Sequence, residues 1–166
     1  MVFLDTCVWI ELLAVKTPVE EHEKRQASIA SGLLSSLLQD NVKIITTNNQ
    51  LLEILFSVYK GKIKEYNRSV EKHSRIGNVK AFRKIEGFEE ISKMIKLIMS
   101  DMKTLAENVG YINFEILDIT GKAEFLDIND VLYYDYCNVN SIKLYTFDKE
   151  LSEYDNLQGT DVVVLL

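Results

Sequence analysis

The chain of 166 residues is poor in the side chains that staple or ligate small domains, with two cysteines, two histidines and one proline. Cys7 and Cys137 make no disulfide framework, and neither a CxxC pair nor an HExxH motif occurs. His22 and His73 lie far in sequence from both cysteines. Zinc sites and Ser-His-Asp chemistry therefore have little to work with. A single proline, Pro18, and seven glycines leave few helix breakers, so long helices are expected. No apolar run approaches the ~20 residues needed to span a bilayer. Met1-Val2-Phe3-Leu4-Asp5 carries no basic leader and no small-residue cleavage site. The expectation is a soluble, cytoplasmic protein with no membrane partner.

What is present is an ordinary globular composition, 47% apolar and 27% charged, with a net charge of −6. The length suits one domain over residues 1–166. The charge is uneven: residues 58–103 hold nine Lys and three Arg against six acids, a local +6 inside an acidic chain. Such asymmetry is either a solvated helical face or a surface that attracts phosphates.

Short apolar runs alternate with helical patterns along the chain. Met1 to Leu4 reads as a first strand that stops at Asp5-Thr6. Residues 20–39 fit a helix, 42–46 a second strand, and Asn48 or Asn49 a cap for the helix carrying Leu51, Leu52, Leu55, Phe56 and Tyr59. An extended basic helical region follows at about 58–108, with a break near Gly77 or Gly87. Residues 111–119 alternate apolar and polar, which predicts a strand. Asp127 stands where a helix cap is expected, and residues 142–146 and 162–166 read as the last two strands. This order predicts an α/β fold, a three-layer α/β/α sandwich around a mainly parallel sheet.

In such sheets ligands bind beyond the carboxyl ends of the strands. Asp5 follows the first strand and Asp148 the strand 142–146. Glu53 lies early in the helix after the second strand, and Asp130 in the first turn of a later helix. Four carboxylates can thus converge at one sheet edge, and an oxygen-only cluster suits Mg²⁺ or Mn²⁺. Each acid also has a plain structural role open to it. Asp5 can cap a helix, Asp127 is an N-cap, Asp130 favours a helix start through the dipole, and Asp148-Lys149 can be a turn. Two other phosphoryl chemistries fit poorly. A haloacid-dehalogenase-like phosphatase wants an Asp two residues after Asp5, where Cys7 stands, and a receiver-like domain wants paired acids near the first strand.

The segments Val2-Phe3-Leu4-Asp5-Thr6, Asn48-Asn49-Gln50-Leu51-Leu52-Glu53-Ile54-Leu55, Asp130-Val131-Leu132-Tyr133-Tyr134 and Leu144-Tyr145-Thr146-Phe147-Asp148 resemble the PIN-domain family. The resemblance implies a metal-dependent endoribonuclease with Mg²⁺ or Mn²⁺ held by Asp5, Glu53, Asp130 and Asp148. Thr6 and Thr146 would be supporting hydroxyls. It also implies RNA as substrate, a homodimer, and an antitoxin protein as partner if the chain is the toxin of a VapBC-like pair. Two departures stand out: the stretch from a strand at 111–119 to Asp130 is short, which leaves Asp127 to replace or assist Asp130, and the helical region 58–108 is long. The alternative reading is a catalytically silent PIN-like domain that binds RNA or protein. Tyr133 and Tyr134 are expected in the core rather than stacked on bases, and Trp9 in the core or a dimer interface.

Overall fold

The computed structural model describes residues 1–13, 18 and 20–166. Five strands form one all-parallel sheet: β1 (Val2–Leu4), β2 (Ile44–Thr46), β3 (Glu107–Asn108), β4 (Lys143–Thr146) and β5 (Val163–Leu165). Their spatial order is β3-β2-β1-β4-β5, which places β1 at the centre. The helices are α1 (Thr6–Leu12), α2 (Glu21–Gln39), α3 (Asn48–Ser69), α4 (Val79–Phe82), α5 (Phe88–Leu105), α6 (Ile116–Lys122), α7 (Ile128–Val139) and α8 (Lys149–Gln158).

Alternating strand side chains divide the core into two layers. Val2, Leu4 and Ile44 pack with Val8, Trp9, Ile54, Val58, Ile95, Ile98 and Met102, from α1, α3 and α5. Phe3, Ile45 and Leu144 point the other way, onto Ile119, Val131, Leu132, Tyr133, Leu151 and Tyr154 from α6, α7 and α8. The result is a three-layer α/β/α sandwich. Its strands are apolar because helices cover both faces.

Three sequence expectations are corrected. Residues 111–119 are not a strand: Ile112 and Ile119 are buried, but Phe114 and Ile116 face solvent, and α6 starts at Ile116. The edge strand is instead the polar pair Glu107-Asn108, held by Val109 N–H donating to Thr46 O at 2.9 Å. With the strand this early and α6 following it, the short connection to Asp130 inferred from the sequence is not present. The cap of α3 is Thr47, whose hydroxyl accepts from Gln50 N at 3.2 Å; Asn48 and Asn49 instead pin the following loops, Asn49 Oδ1 accepting from Ile112 N at 3.1 Å. The basic region is broken at 70–78 and again before Gly87, which takes the left-handed conformation (φ 80°) to start α5. Trp9, Tyr133 and Tyr134 are buried. Among the described residues no helix is long and apolar enough to cross a membrane.

Candidate active site

The strand order sets where a site can form. The connection leaving β1 leads to β2 on one side, and the connection leaving β4 leads to β5 on the other. The crevice between the carboxyl ends of β1 and β4 is therefore the topological switch point. Asp5 is the first residue beyond β1, and Asp148 lies two residues beyond the end of β4.

Asp5 is the N-cap of α1, with Oδ1 accepting from Thr6 N at 2.5 Å. Its other oxygen accepts from the Thr146 hydroxyl at 2.5 Å and from the Cys7 thiol at 3.1 Å. The Thr146 oxygen in turn accepts from Asp148 N at 2.9 Å, so one threonine ties both strand-end aspartates together. Asp148 caps α8, accepting from Glu150 N at 2.8 Å. Asp5 is only 4% exposed, and burial pushes its carboxyl above the usual range, aided by the charge of Asp148.

Glu53 reaches the same place from the second turn of α3. Gln50, one turn earlier, fixes that helix to the end of β1: its amide donates to Leu4 O at 2.7 Å and accepts from Thr46 at 2.8 Å. The Glu53 oxygen Oε2 accepts from the Thr6 hydroxyl at 3.0 Å and from Tyr133 OH at 2.7 Å. Burial and the bond to Glu53 both raise the Tyr133 phenol, which keeps it a donor. Three elements thus aim one carboxylate.

Asp130 stands in the first turn of α7. Its carboxyl is pushed up to about 7, first by burial and then by the charges of Asp5, Asp148, Glu53 and Asp127. The four predicted acids are therefore near enough to feel one another, and among the described residues no Lys or Arg pairs with any of them. Asp127 occupies the N-cap position of α7 but makes no capping bond; it is exposed and contributes only its charge. Asp135 points elsewhere, into an ion pair with Lys122 at 2.6 Å.

The donor set is all oxygen, and among the described residues hydrogen bonds but no ion pair offset its repulsion, which is the chemistry a hard divalent cation matches. Among the described residues, however, no three of His, Cys, Asp and Glu stand close enough together to enclose an ion. Mg²⁺ takes only one or two carboxylates directly and keeps several waters, so it tolerates acids this widely set. Two clefts of about 390 and 450 Å³ indent the surface, and none of the four acids lines either.

Cys7, Gln50 and Tyr133 are the site residues that the sequence did not reveal in these roles. Cys7 stands beside Asp5 as a donor, with burial and the Asp5 charge pushing its thiol up. Only its position two residues after Asp5 was a signal. Compared with known proteins, the chain matches no protein-family model and no curated protein.

Proposed function

We propose that the chain is a Mg²⁺- or Mn²⁺-dependent endoribonuclease of PIN-like design, built around Asp5, Glu53, Asp130 and Asp148. One observation carries the reading. Four carboxylates gather at the switch point of a parallel sheet, and burial and mutual repulsion raise two of them, with no Lys or Arg paired to them among the described residues. Helix capping accounts for Asp5 and Asp148 singly but not for four acids facing one another, whereas a divalent cation turns the cost of that grouping into affinity.

Asp5, Glu53, Asp130 and Asp148 would hold the ion, one or two of them directly and the others through its waters. Bound there, it supplies charge stabilisation at the phosphate and lowers the pKa of the attacking water. The chain's own residues do the rest. Thr146 and Cys7 fix the Asp5 carboxylate through its Oδ2, and Thr6 and Tyr133 fix Glu53 through its Oε2. Such supporting donors orient ligands and set their basicity. Asp130, near 7 while no metal is bound, would lose its proton when the ion binds. Single-stranded RNA suits the site because its phosphates and unstacked bases reach a protein edge that a duplex cannot. A VapBC-like toxin with an antitoxin partner, acting in the cytoplasm as a homodimer, is the biological setting we propose for that activity.

Cleavage of mixed RNA with Mg²⁺, with EDTA and in an Asp5→Asn variant tests the reading. Cleavage that needs the metal and is lost in Asp5→Asn supports it. The wide setting of the acids favours one rival, a PIN-like domain that binds without cutting. Metal-dependent thermal melts with no cleavage on any RNA would establish that rival.

A further inference from the structure

The cleft of about 450 Å³ is lined by Lys60, Lys64, Arg68 and Arg75, with Ile63, Asn67 and Gly77 and no acid. We infer that it is a binding tract for the phosphates of single-stranded RNA, leading along α3 toward the acidic site.

What sets the cleft cations apart is their grouping, since several other described cations also lack an ion pair. Lys62 pairs with Glu65 at 2.8 Å, Lys93 with Glu90 at 2.9 Å, Lys43 with Glu107 at 2.6 Å and Lys143 with Asp161 at 3.0 Å. Among the described residues the four cleft cations have no ion-pair partner. Lys60 and Lys64, and again Lys64 and Arg68, stand at i and i+4 on one continuous helix, a spacing at which like charges repel. The helix dipole favours only Arg68, in the last turn of α3. A solvated face does not need this alignment, whereas a polyanion does.

The fourth cation is placed deliberately. Asn67 binds the backbone of Ile76 on both sides, its amide donating to Ile76 O and its carbonyl accepting from Ile76 N, each at 2.8 Å. This double bond folds the segment after α3 back onto the helix and sets Arg75 across the cleft from Lys64 and Arg68. A groove with cationic walls on two sides results.

The register along α3 connects the groove to the site. At 3.6 residues per turn, Lys60 and Lys64 project within about 20° of the direction of Glu53, and Arg68 within about 60°. They lie about 10, 16 and 22 Å further along the axis, one cation per four residues or ~6 Å. That step is close to the separation of successive phosphates in an extended strand. A single strand laid along this face meets one cation per nucleotide and brings its next phosphates to Glu53. The assignment to RNA rests on the proposed nuclease function; affinity for phosphates rests on the groove alone.

Binding of a fluorescein-labelled oligouridylate to the full chain, in EDTA so that no metal acts, is the test. The logarithm of affinity should fall against the logarithm of salt with a slope of about −0.7 for each phosphate neutralised, about −3 for four. Each single change, K60Q, K64Q, R68Q or R75Q, should remove about 0.7 from the slope, and the quadruple variant should weaken binding by at least about tenfold. K62Q, whose lysine is engaged by Glu65, should leave the slope alone. An unchanged slope in the quadruple variant overturns the tract and leaves the nuclease reading intact. Equal competition by polyglutamate overturns the RNA assignment in favour of an acidic protein partner. A wild type that binds with the expected slope but never cleaves supports the tract and defeats the nuclease reading.

Discussion

The two ends of α3 set the same physical force to opposite uses. At the start of the helix Glu53 joins three aspartates of like charge where burial makes repulsion costly, so that Asp130 holds its proton up to about pH 7. Farther along, Lys60, Lys64 and Arg68 are also like charges, but they are exposed and hydrated. Water screens them and their repulsion is worth only tenths of a kcal/mol. Buried like charges couple a site to folding and to metal; exposed ones couple it to salt and to polymers. The comparison teaches that the sign of a cluster says less than its burial.

The sharpest way to break that contrast is Asp130→Asn. Loss of a metal-holding carboxylate should lower Mg²⁺-dependent RNA cleavage by at least about 100-fold, since even outer partners of metal ligands are worth about 10- to 100-fold. In metal-free buffer above pH 7, where Asp130 is ionised, the same variant should melt higher than wild type, because one member of the repelling group is gone. A variant that cleaves normally, or melts lower without metal, would show that the acids are not a strained cation site.

A smaller effect is expected from Tyr133→Phe. The ring stays in the core, where it lies 5.2 Å from Phe3, while the donor to Glu53 is removed. Cleavage should drop by about 10-fold with little change in oligouridylate binding. Equal losses in both assays would mean that the two ends of α3 do not work separately.

The least change belongs to pH. Asp130 titrates near 7 in the folded chain against an ordinary 3.8, so the folded state holds an extra proton between those values. Stability from this group therefore falls as pH rises from about 4 to about 7 and is level above that. Asp5, also raised by burial, adds in the same direction. Metal-free melts should decline by a few degrees across that window, and saturating Mg²⁺, which holds the carboxylates ionised, should flatten the decline. Melts that rise with pH, or a decline indifferent to Mg²⁺, would contradict the assignment.

Much of this arrangement was legible in the sequence because strand ends are. Val2–Leu4, Ile44–Thr46 and Lys143–Thr146 are short runs that stop at polar residues, and the parallel sheet puts those stops at one edge. Position alone thus marked Asp5, Glu53, Asp130 and Asp148. The strand β3 was not legible, because two exposed polar residues at an edge carry no apolar signal. Residues 111–119 imitated a strand because Ile112, Phe114 and Ile116 alternate, yet only Ile112 is buried. The roles of Gln50 and Tyr133 were hidden for another reason. Their bonds cross 46 and 80 residues of chain, and no local pattern encodes a partner at that distance.

The central position of β1 has a consequence for the protein's own synthesis. β1 lies between β2 and β4, and Val2, Phe3 and Leu4 must wait for Lys143, Leu144 and Tyr145, far later in the chain, before that side of the sheet can close. Loop closure over such a span comes late in folding. Asp5 finds Thr146 and Asp148 only after more than 140 further residues have been made. If the acids cut RNA, a growing chain has no working centre until the segment carrying Thr146 and Asp148 has been made; the topology itself delays the activity until β4 can join β1.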